Sequence, residues 1–358
     1  MTPKPNPQPR PIKILFMGDA SESSIMAQDR DAKAWALYLN PEKYRISIFL
    51  NGDQPDPDLK AKSNIRFIKL STRHYILKTL KKLIILFFSR RYHIVIGGAI
   101  DEVSIIYMMF RKWVFDRKKL LFAVVNRYPY PSKRISRLIL HNTDVPFAIS
   151  SQIRNDIEEN AKKRVPIVHL CYNMDRFKPR EHKNYPLRIV TVGSMLAHKQ
   201  PFLFANLAKM ISKTKFIWIG SRYYYDMMKN KQFKEVITNL QLPGTMSQQE
   251  LSEFLPGCDI FVLTSIHEGF PNVIVEAMAC GLPVIAFSIY GPEAIINGET
   301  GFITDSEFDM LAKIQFLIDR PQLRQYMGQA ARRRALKYEG SVIINELEQL
   351  IDESAGRT

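Results

Sequence analysis

Apolar residues fall in short runs separated by longer amphipathic stretches. The runs 12–18 (Ile-Lys-Ile-Leu-Phe-Met-Gly), 45–50, 65–70, 92–97, 120–125 and 144–149 have the length and β-branched character of buried strands, and 167–171 continues the series. Helical periodicity lies between them near 27–39, over 76–89 and over 100–115. The second of these carries apolar residues at 76, 77, 80, 83, 84, 87 and 88 and lysines at 78, 81 and 82. Strand and helix alternate, which predicts a doubly wound parallel sheet. At 173–186 the texture turns polar (Asn-Met-Asp-Arg-Phe-Lys-Pro-Arg-Glu-His-Lys-Asn-Tyr-Pro), and we read an interdomain linker there. A second series follows, with strands at 187–193, 216–220, 259–263 and from Pro283. Its helices begin at Pro201 and lie near 224–239, 248–254, 271–279 and 323–338, and 342–351 forms a final amphipathic one. The expectation is α/β throughout: a Pro-rich disordered tail (1–10) without a secretory apolar stretch, a Rossmann-like domain (11–172), the linker (173–186), a second Rossmann-like domain (187–338) and a terminal helix (339–358).

A chain of 358 residues, 46% hydrophobic, is long enough for two such domains and too apolar to be disordered. The longest apolar runs, 83–88 and 105–110, are too short to span a bilayer. Cys171, Cys258 and Cys280 are far apart and have no metal-ligand spacing, so a reduced, cytoplasmic protein is the simplest reading. Net charge is +16, and residues 60–134 hold eighteen Lys and Arg against three acidic residues, nearly the whole excess. That concentration predicts an anionic partner. The apolar stripe Leu80, Leu83, Ile84 and Phe87 reads most simply as the core-facing side of its helix, leaving the lysine face outward. The stretch 108–119 mixes aromatic and cationic residues as interfacial segments do. We therefore expect peripheral contact with an anionic membrane through 60–134. Nucleic acid would use the same charge, but no recognition motif for it is present.

Residues 259–287 organise the rest. A buried strand leads into the polar loop Ser265–Gly269, Pro271 stands at the expected first helical position, and a helix runs to about Ala279 before Gly281. Glu268 lies on the loop and Glu276 one to two turns into the helix. Taken alone, they are a solvated loop carboxylate and a surface helix carboxylate. The apolar neighbours Ile274, Val275, Ala277 and Met278 instead predict that Glu276 is partly buried and needs a partner. A helix N-terminus beside such a turn attracts phosphate or polarised sugar oxygens.

The run Glu268-Gly-Phe-Pro-Asn-Val-Ile-Val-Glu276-Ala-Met-Ala-Cys-Gly-Leu-Pro-Val, followed by Gly291-Pro-Glu-Ala-Ile-Ile-Asn-Gly-Glu-Thr-Gly301, resembles glycosyltransferase family 4, the retaining, nucleotide-sugar-dependent enzymes. Asn173-Met-Asp-Arg-Phe-Lys-Pro179 resembles the interdomain signature of that family in shortened form. The resemblance is strong over 165–340 and topological before that. It implies the GT-B fold, two Rossmann-like domains facing a central cleft, with the terminal helix crossing back to the first. It also implies donor-binding residues Gly193, Ser194, Lys199, Arg222, Thr245, Met246, Glu268, Gly269, Phe270, Pro271, Asn272, Val273 and Glu276, with Glu268 and Lys199 carrying the chemistry. Lys199 read alone is a solvated lysine; its spacing from Gly193 matches the family pattern. Ser194 stands where the family often has Arg, and Arg222 is the candidate to compensate. In the first domain Gly18 closes the first strand. Asn126 or Arg127 occupies the place of the family's histidine, while His93 and His141 read as structural and His267 as supporting Glu268.

Asp29-Arg-Asp31 and Asp56-Pro-Asp58 match an Asp-x-Asp metal pattern but lack its strand-end context, so we expect no metal. The resulting expectation is a metal-independent, retaining transfer of sugar from a UDP- or GDP-linked donor to a glycan or lipid-linked acceptor. The setting would be cell-surface polysaccharide or glycolipid biosynthesis, at the inner, cytoplasmic face of the membrane. The alternative is a catalytically degenerate binding or regulatory subunit on the same scaffold. A nucleotide-dependent oxidoreductase is disfavoured, because no Gly-x-Gly-x-x-Gly follows the first strand.

Overall fold

The computed structural model describes residues 10–22, 27–52, 54–70, 74–114, 117–126, 131–181, 185–221 and 237–357. The chain divides into two compact units: one takes everything to Cys171 together with Gly340–Thr358, and the other is Tyr172–Glu339. The tail 1–9 lies outside the described residues.

The first unit is built on six parallel strands, β1 (Ile12–Asp19), β2 (Tyr44–Leu50), β3 (Ile65–Lys69), β4 (Ile94–Gly97), β5 (Lys119–Val124) and β6 (Val145–Ala148), in the order β3-β2-β1-β4-β5-β6. The inner strands are apolar on both faces because helices cover both, which is why they read as continuous hydrophobic runs. Helices α1 (Ala27–Tyr38), α2 (Pro57–Lys60), α3 (Tyr75–Phe88), α4 (Glu102–Phe110), α5 (Lys133–Asn142) and α6 (Ser151–Ala161) connect and follow the strands. The helix Gly340–Ser354 packs beside α1. Its Glu348 accepts from the Asn40 amide (2.9 Å) and pairs with Lys43 (3.2 Å), its Asp352 accepts from the Tyr44 hydroxyl (3.0 Å), and its Glu346 accepts from the His169 amide (2.8 Å).

Several expectations need correction. Residues 167–171 make only a single bridge, Ile167 to Ala148, because no neighbouring strand continues the ladder. The helix expected over 100–115 ends at Phe110. On α3 the stripe read as core-facing is split. Leu83 and Phe87 pack on the core and Leu86 is fully buried, but Leu80 and Ile84 face solvent. Lys78 and Lys82, expected outward, turn inward: Lys78 donates to the Asn51 carbonyl (3.1 Å), and the Lys82 ammonium lies 5.4 Å from the Phe49 ring centroid. The helix carries more apolar residues than one face can hold, so the strip in contact with the sheet decides which of them are buried.

The second unit repeats the topology with β7 (Arg188–Val192), β8 (Lys215–Ile219), β9 (Leu240–Gly244), β10 (Ile260–Leu263), β11 (Val284–Phe287) and β12 (Gly301–Thr304), ordered β12-β11-β10-β7-β8-β9 and all parallel. Counted from its own first strand, each sheet has the order 3-2-1-4-5-6. The helices are α7 (Pro201–Met210), α8 (Gln248–Phe254), α9 (Asn272–Ala279), α10 (Glu307–Ile318) and α11 (Pro321–Ala335). Most of the helix expected at 224–239 lies outside the described residues, and β9 occupies what reads as loop after Leu240. The described part of 173–186 is held on this unit: Met174 and Phe177 are buried, and the Arg332 guanidinium donates to both of their carbonyls. Among the described residues no helix is long and apolar enough to cross a membrane.

Candidate functional site

In an open parallel sheet, ligands bind outside the carboxyl ends of the strands, at the point where the strand order reverses. In the second unit that point lies between β7 and β10, neighbours that run on into the loop of Gly193 and the loop of Glu268. Gly193 follows β7 with φ +151°, and a Cβ there would meet only the end of the Lys199 side chain. Gly220, after β8, has φ +148°, and a Cβ on it would stand 2.0 Å from the Gly193 carbonyl oxygen. Glycine lets these two turns touch. The Trp218 indole N–H adds a 2.6 Å bond to the same carbonyl.

Lys199 closes a short 3-10 turn (Ala197–Lys199), and Gln200, at φ +55°, leads into α7, opened by Pro201. That turn is tied to the β10 loop at three places. The fully buried Thr264 hydroxyl donates to the Lys199 carbonyl (2.7 Å), the Ile266 amide donates to the His198 carbonyl (2.9 Å), and the Lys199 ammonium pairs with Glu268 Oε1. Both charged side chains are largely shielded from water. Two residues sixty-nine positions apart thus bridge the switch point. The half-buried His198 imidazole has its pKa lowered by burial, with Lys199 adding to the effect, which favours the neutral ring.

Beyond Glu268, Gly269 is half-buried, and the Phe270 ring lies 5.6 Å from that of Tyr338. Pro271 caps the helix and α9 begins at Asn272, one residue later than expected, because Pro271 has an extended ψ of 101°. The Asn272 side chain accepts from the Tyr172 hydroxyl, and Val273 is half-buried beside it. Glu276 is 2% exposed, as its apolar neighbours predicted. Thr245 and Met246 follow β9 at the same end of the sheet, and Ser194 is exposed after β7. Tyr290, in the turn after β11, was not singled out from sequence. It is fully buried, and its hydroxyl has no hydrogen-bond partner among the described residues. Burial raises its pKa well above the ordinary value and the Glu268 charge raises it further, so it remains a neutral phenol. Thr264 and Tyr172 also went unnoticed, because an isolated hydroxyl carries no spacing signal. His267 is exposed, and Arg222 lies outside the described residues.

In the first unit Gly18 lies in β1, where a Cβ would stand 2.7 Å from that of Ala32, so the glycine serves close packing of α1 on the strand. Gly97 ends β4 and Gly98 follows it, and Asn126 is half-buried after β5; Arg127 is outside the described residues. His93 accepts from the Lys13 amide (2.9 Å), and His141 is exposed in the last turn of α5. Asp56 caps α2 and pairs with Lys33 at 3.4 Å, while Asp29 accepts from the Asp19 amide at 2.8 Å. A separate cavity of about 1050 Å³ opens at the amino ends of β7, β10 and β11, lined by Arg180, Asp259, Arg324 and Arg332, and it includes neither Lys199 nor Glu268.

Two parallel six-stranded sheets of identical order have the arrangement of the GT-B glycosyltransferase fold. Residues 174–334 match the family model described as glycosyl transferases group 1. A Campylobacter jejuni N,N'-diacetylbacillosaminyl-diphospho-undecaprenol alpha-1,3-N-acetylgalactosaminyltransferase is 30% identical over 197 residues, covering 54% of this chain and 52% of the relative. The chain thus spans about half the length of that relative. Sucrose-phosphate synthase from Thermosynechococcus elongatus superposes with a TM-score of 0.79 at 17% identity, over 98% of this chain and all of that one. The Anabaena protein HepE, crystallised with UDP and glucose, superposes with a TM-score of 0.74 at 14% identity, over 96% of this chain and all of that one. At these identities the structural likeness speaks for the fold alone.

Proposed function

We propose that the chain transfers a sugar from a nucleoside diphosphate to a hydroxyl group with retention of anomeric configuration. The observation that carries this reading is the Lys199–Glu268 pair spanning the switch point of the second sheet. An ammonium has three N–H donors, so Lys199 keeps others for phosphate oxygens while one engages Glu268. The first amides of α9, at Asn272 and Val273, supply further donors where a diphosphate would sit. As the bond from the anomeric carbon to the phosphate oxygen breaks, negative charge grows on the leaving group, and these fixed donors stabilise it. The acceptor oxygen forms the new bond to that carbon and its proton passes to the departing phosphate. Glu268 holds the sugar hydroxyls and favours the positive charge developing on the ring, and Glu276 binds the ribose diol. Gly193, Thr245 and Met246 line the nucleotide, and Gly18 and Asn126 mark the acceptor-binding unit.

The donor is UDP- or GDP-linked, and the reaction requires no metal. The C. jejuni relative is named for a diphospho-undecaprenol acceptor, which supports a lipid-linked or glycan acceptor in polysaccharide or glycolipid assembly. The basic region 60–134 supports work at the cytoplasmic face of an anionic membrane. One observation favours a second reading, a catalytically degenerate binding subunit: Ser194 is exposed where the resemblance leads one to expect a cation. A panel of UDP- and GDP-sugars, followed by nucleoside diphosphate release with and without EDTA, separates the two. Release that survives EDTA, with a product whose anomeric proton coupling equals the donor's, is the expected result. Thermal stabilisation by a nucleotide sugar without turnover supports the second reading.

A further inference from the structure

The outward face of α3 has no counterpart in the transfer chemistry. Ile76 (72% exposed), Leu80, Ile84 (57%) and Phe88 (70%) recur every fourth position and form one solvent-facing stripe. The orientation is held from the other side, since Lys78 is bonded to the Asn51 carbonyl, Lys82 lies over the Phe49 ring, and Leu86 is fully buried. Rotating the stripe inward would break all three anchors. The neighbouring helix α4 touches α3 through Tyr107, whose ring centroid is 5.3 Å from that of Phe87. After α4 the chain turns, and Trp113 is 81% exposed there. The turn is pinned by the buried Arg111, whose guanidinium donates to the Lys118 carbonyl (2.6 Å) and the Asp144 carboxylate (2.7 Å). Exposed cations at Lys81, Arg90, Arg91, Lys112 and Arg117 lie along the same two segments.

Apolar side chains held outward, an exposed indole and a surround of cations are the composition of a surface that lies in a lipid interface. We propose that the stripe of α3 and Trp113 insert into the headgroup and upper acyl region of an anionic bilayer, with the cations drawing the surface in. The occupant follows from charge complementarity, because residues 60–134, which include α3 and Trp113, hold eighteen Lys and Arg against three acidic residues. The claim goes beyond electrostatic contact and is independent of the transfer reaction; its test uses neither donor nor acceptor.

The chain has three tryptophans, and the other two, Trp35 and Trp218, are buried, so Trp113 provides a selective probe. The full chain is mixed with phosphatidylcholine vesicles with or without phosphatidylglycerol, then floated, with intrinsic fluorescence recorded. Insertion predicts flotation with the phosphatidylglycerol vesicles, a blue-shifted emission, and quenching by lipids brominated on the acyl chain. Trp113→Phe should abolish the shift while still floating. The exposed double substitution Ile84→Ser with Phe88→Ser should lower the floated fraction about tenfold or more while leaving the circular dichroism unchanged. Flotation without acyl-chain quenching would mean charge attraction alone and would overturn the proposal. So would failure to float together with a dimer by light scattering that the double substitution makes monomeric, which would assign the stripe to a second copy of the chain.

Discussion

Gly220 shows how a single missing Cβ supports the site. Its φ of +148° and the 2.0 Å approach that a Cβ would make to the Gly193 carbonyl leave no room for alanine. Gly220→Ala should destabilise the second unit by about 1–3 kcal/mol, read as a lowered melting temperature, and should weaken donor binding as the Gly193 turn moves. The cysteines make a prediction that concerns pH. Burial disfavours the thiolate, so the Cys258 pKa is pushed up to about 12 and that of Cys280 is raised as well. An ordinary thiol is largely thiolate at about pH 9, whereas these two stay protonated. Native alkylation of Cys258 and Cys280 should therefore remain slow as pH rises to that point, and full labelling should appear only after denaturation. At this scale the sequence was partly legible. Glu276 could be read as buried because four apolar neighbours surround it. Thr264, which ties the Lys199 turn to β10, could not, because a lone threonine after a strand is indistinguishable from any other.

At the level of elements, strands were easier to read than helices, and the reason is physical. A strand buried on both faces is a continuous apolar run, whereas a helix on the sheet needs only an apolar stripe. Helices α5 and α6 have polar-rich sequences, α10 is mostly apolar, and all three went unread, yet each opens on a serine cap. The Ser132, Ser150 and Ser306 hydroxyls accept from the amides of Ile135, Ile153 and Asp309. Those caps were the available signal. Ser150→Ala should cost about 1 kcal/mol of first-unit stability, measured by denaturant unfolding, with little effect on the second unit. Helix α3 failed in a different way: its existence and bounds were legible, but its orientation was not. Periodicity records that an apolar stripe exists, and the anchors Lys78 to Asn51 and Lys82 to Phe49 depend on residues more than two dozen positions away.

At the scale of the whole molecule, two sheets of the same strand order carry different loads. The first holds the cationic excess and the outward apolar stripe; the second brings Lys199 and Glu268 together at its switch point. Alternation of strand and helix announced both sheets, although β9 and β12 of the second went unread. The motif from Glu268 to Glu276 pointed to the second as the candidate place of chemistry, and its spacing survived because α9 and the loop before it set both carboxylates relative to one strand end. Glu276→Ala should raise the donor KM roughly ten- to a hundredfold through loss of hydrogen bonds to a charged group, with kcat less affected. The central claim is that Glu268 acts on the reacting sugar while Lys199 and the start of α9 hold the diphosphate. The most direct measurement compares donor affinity by calorimetry with single-turnover transfer rate in the wild-type chain and in Glu268→Gln. The account predicts donor affinity within a few-fold of wild type and a rate lowered about 100- to 1000-fold. A Glu268→Gln chain that transfers sugar at the wild-type rate would contradict it.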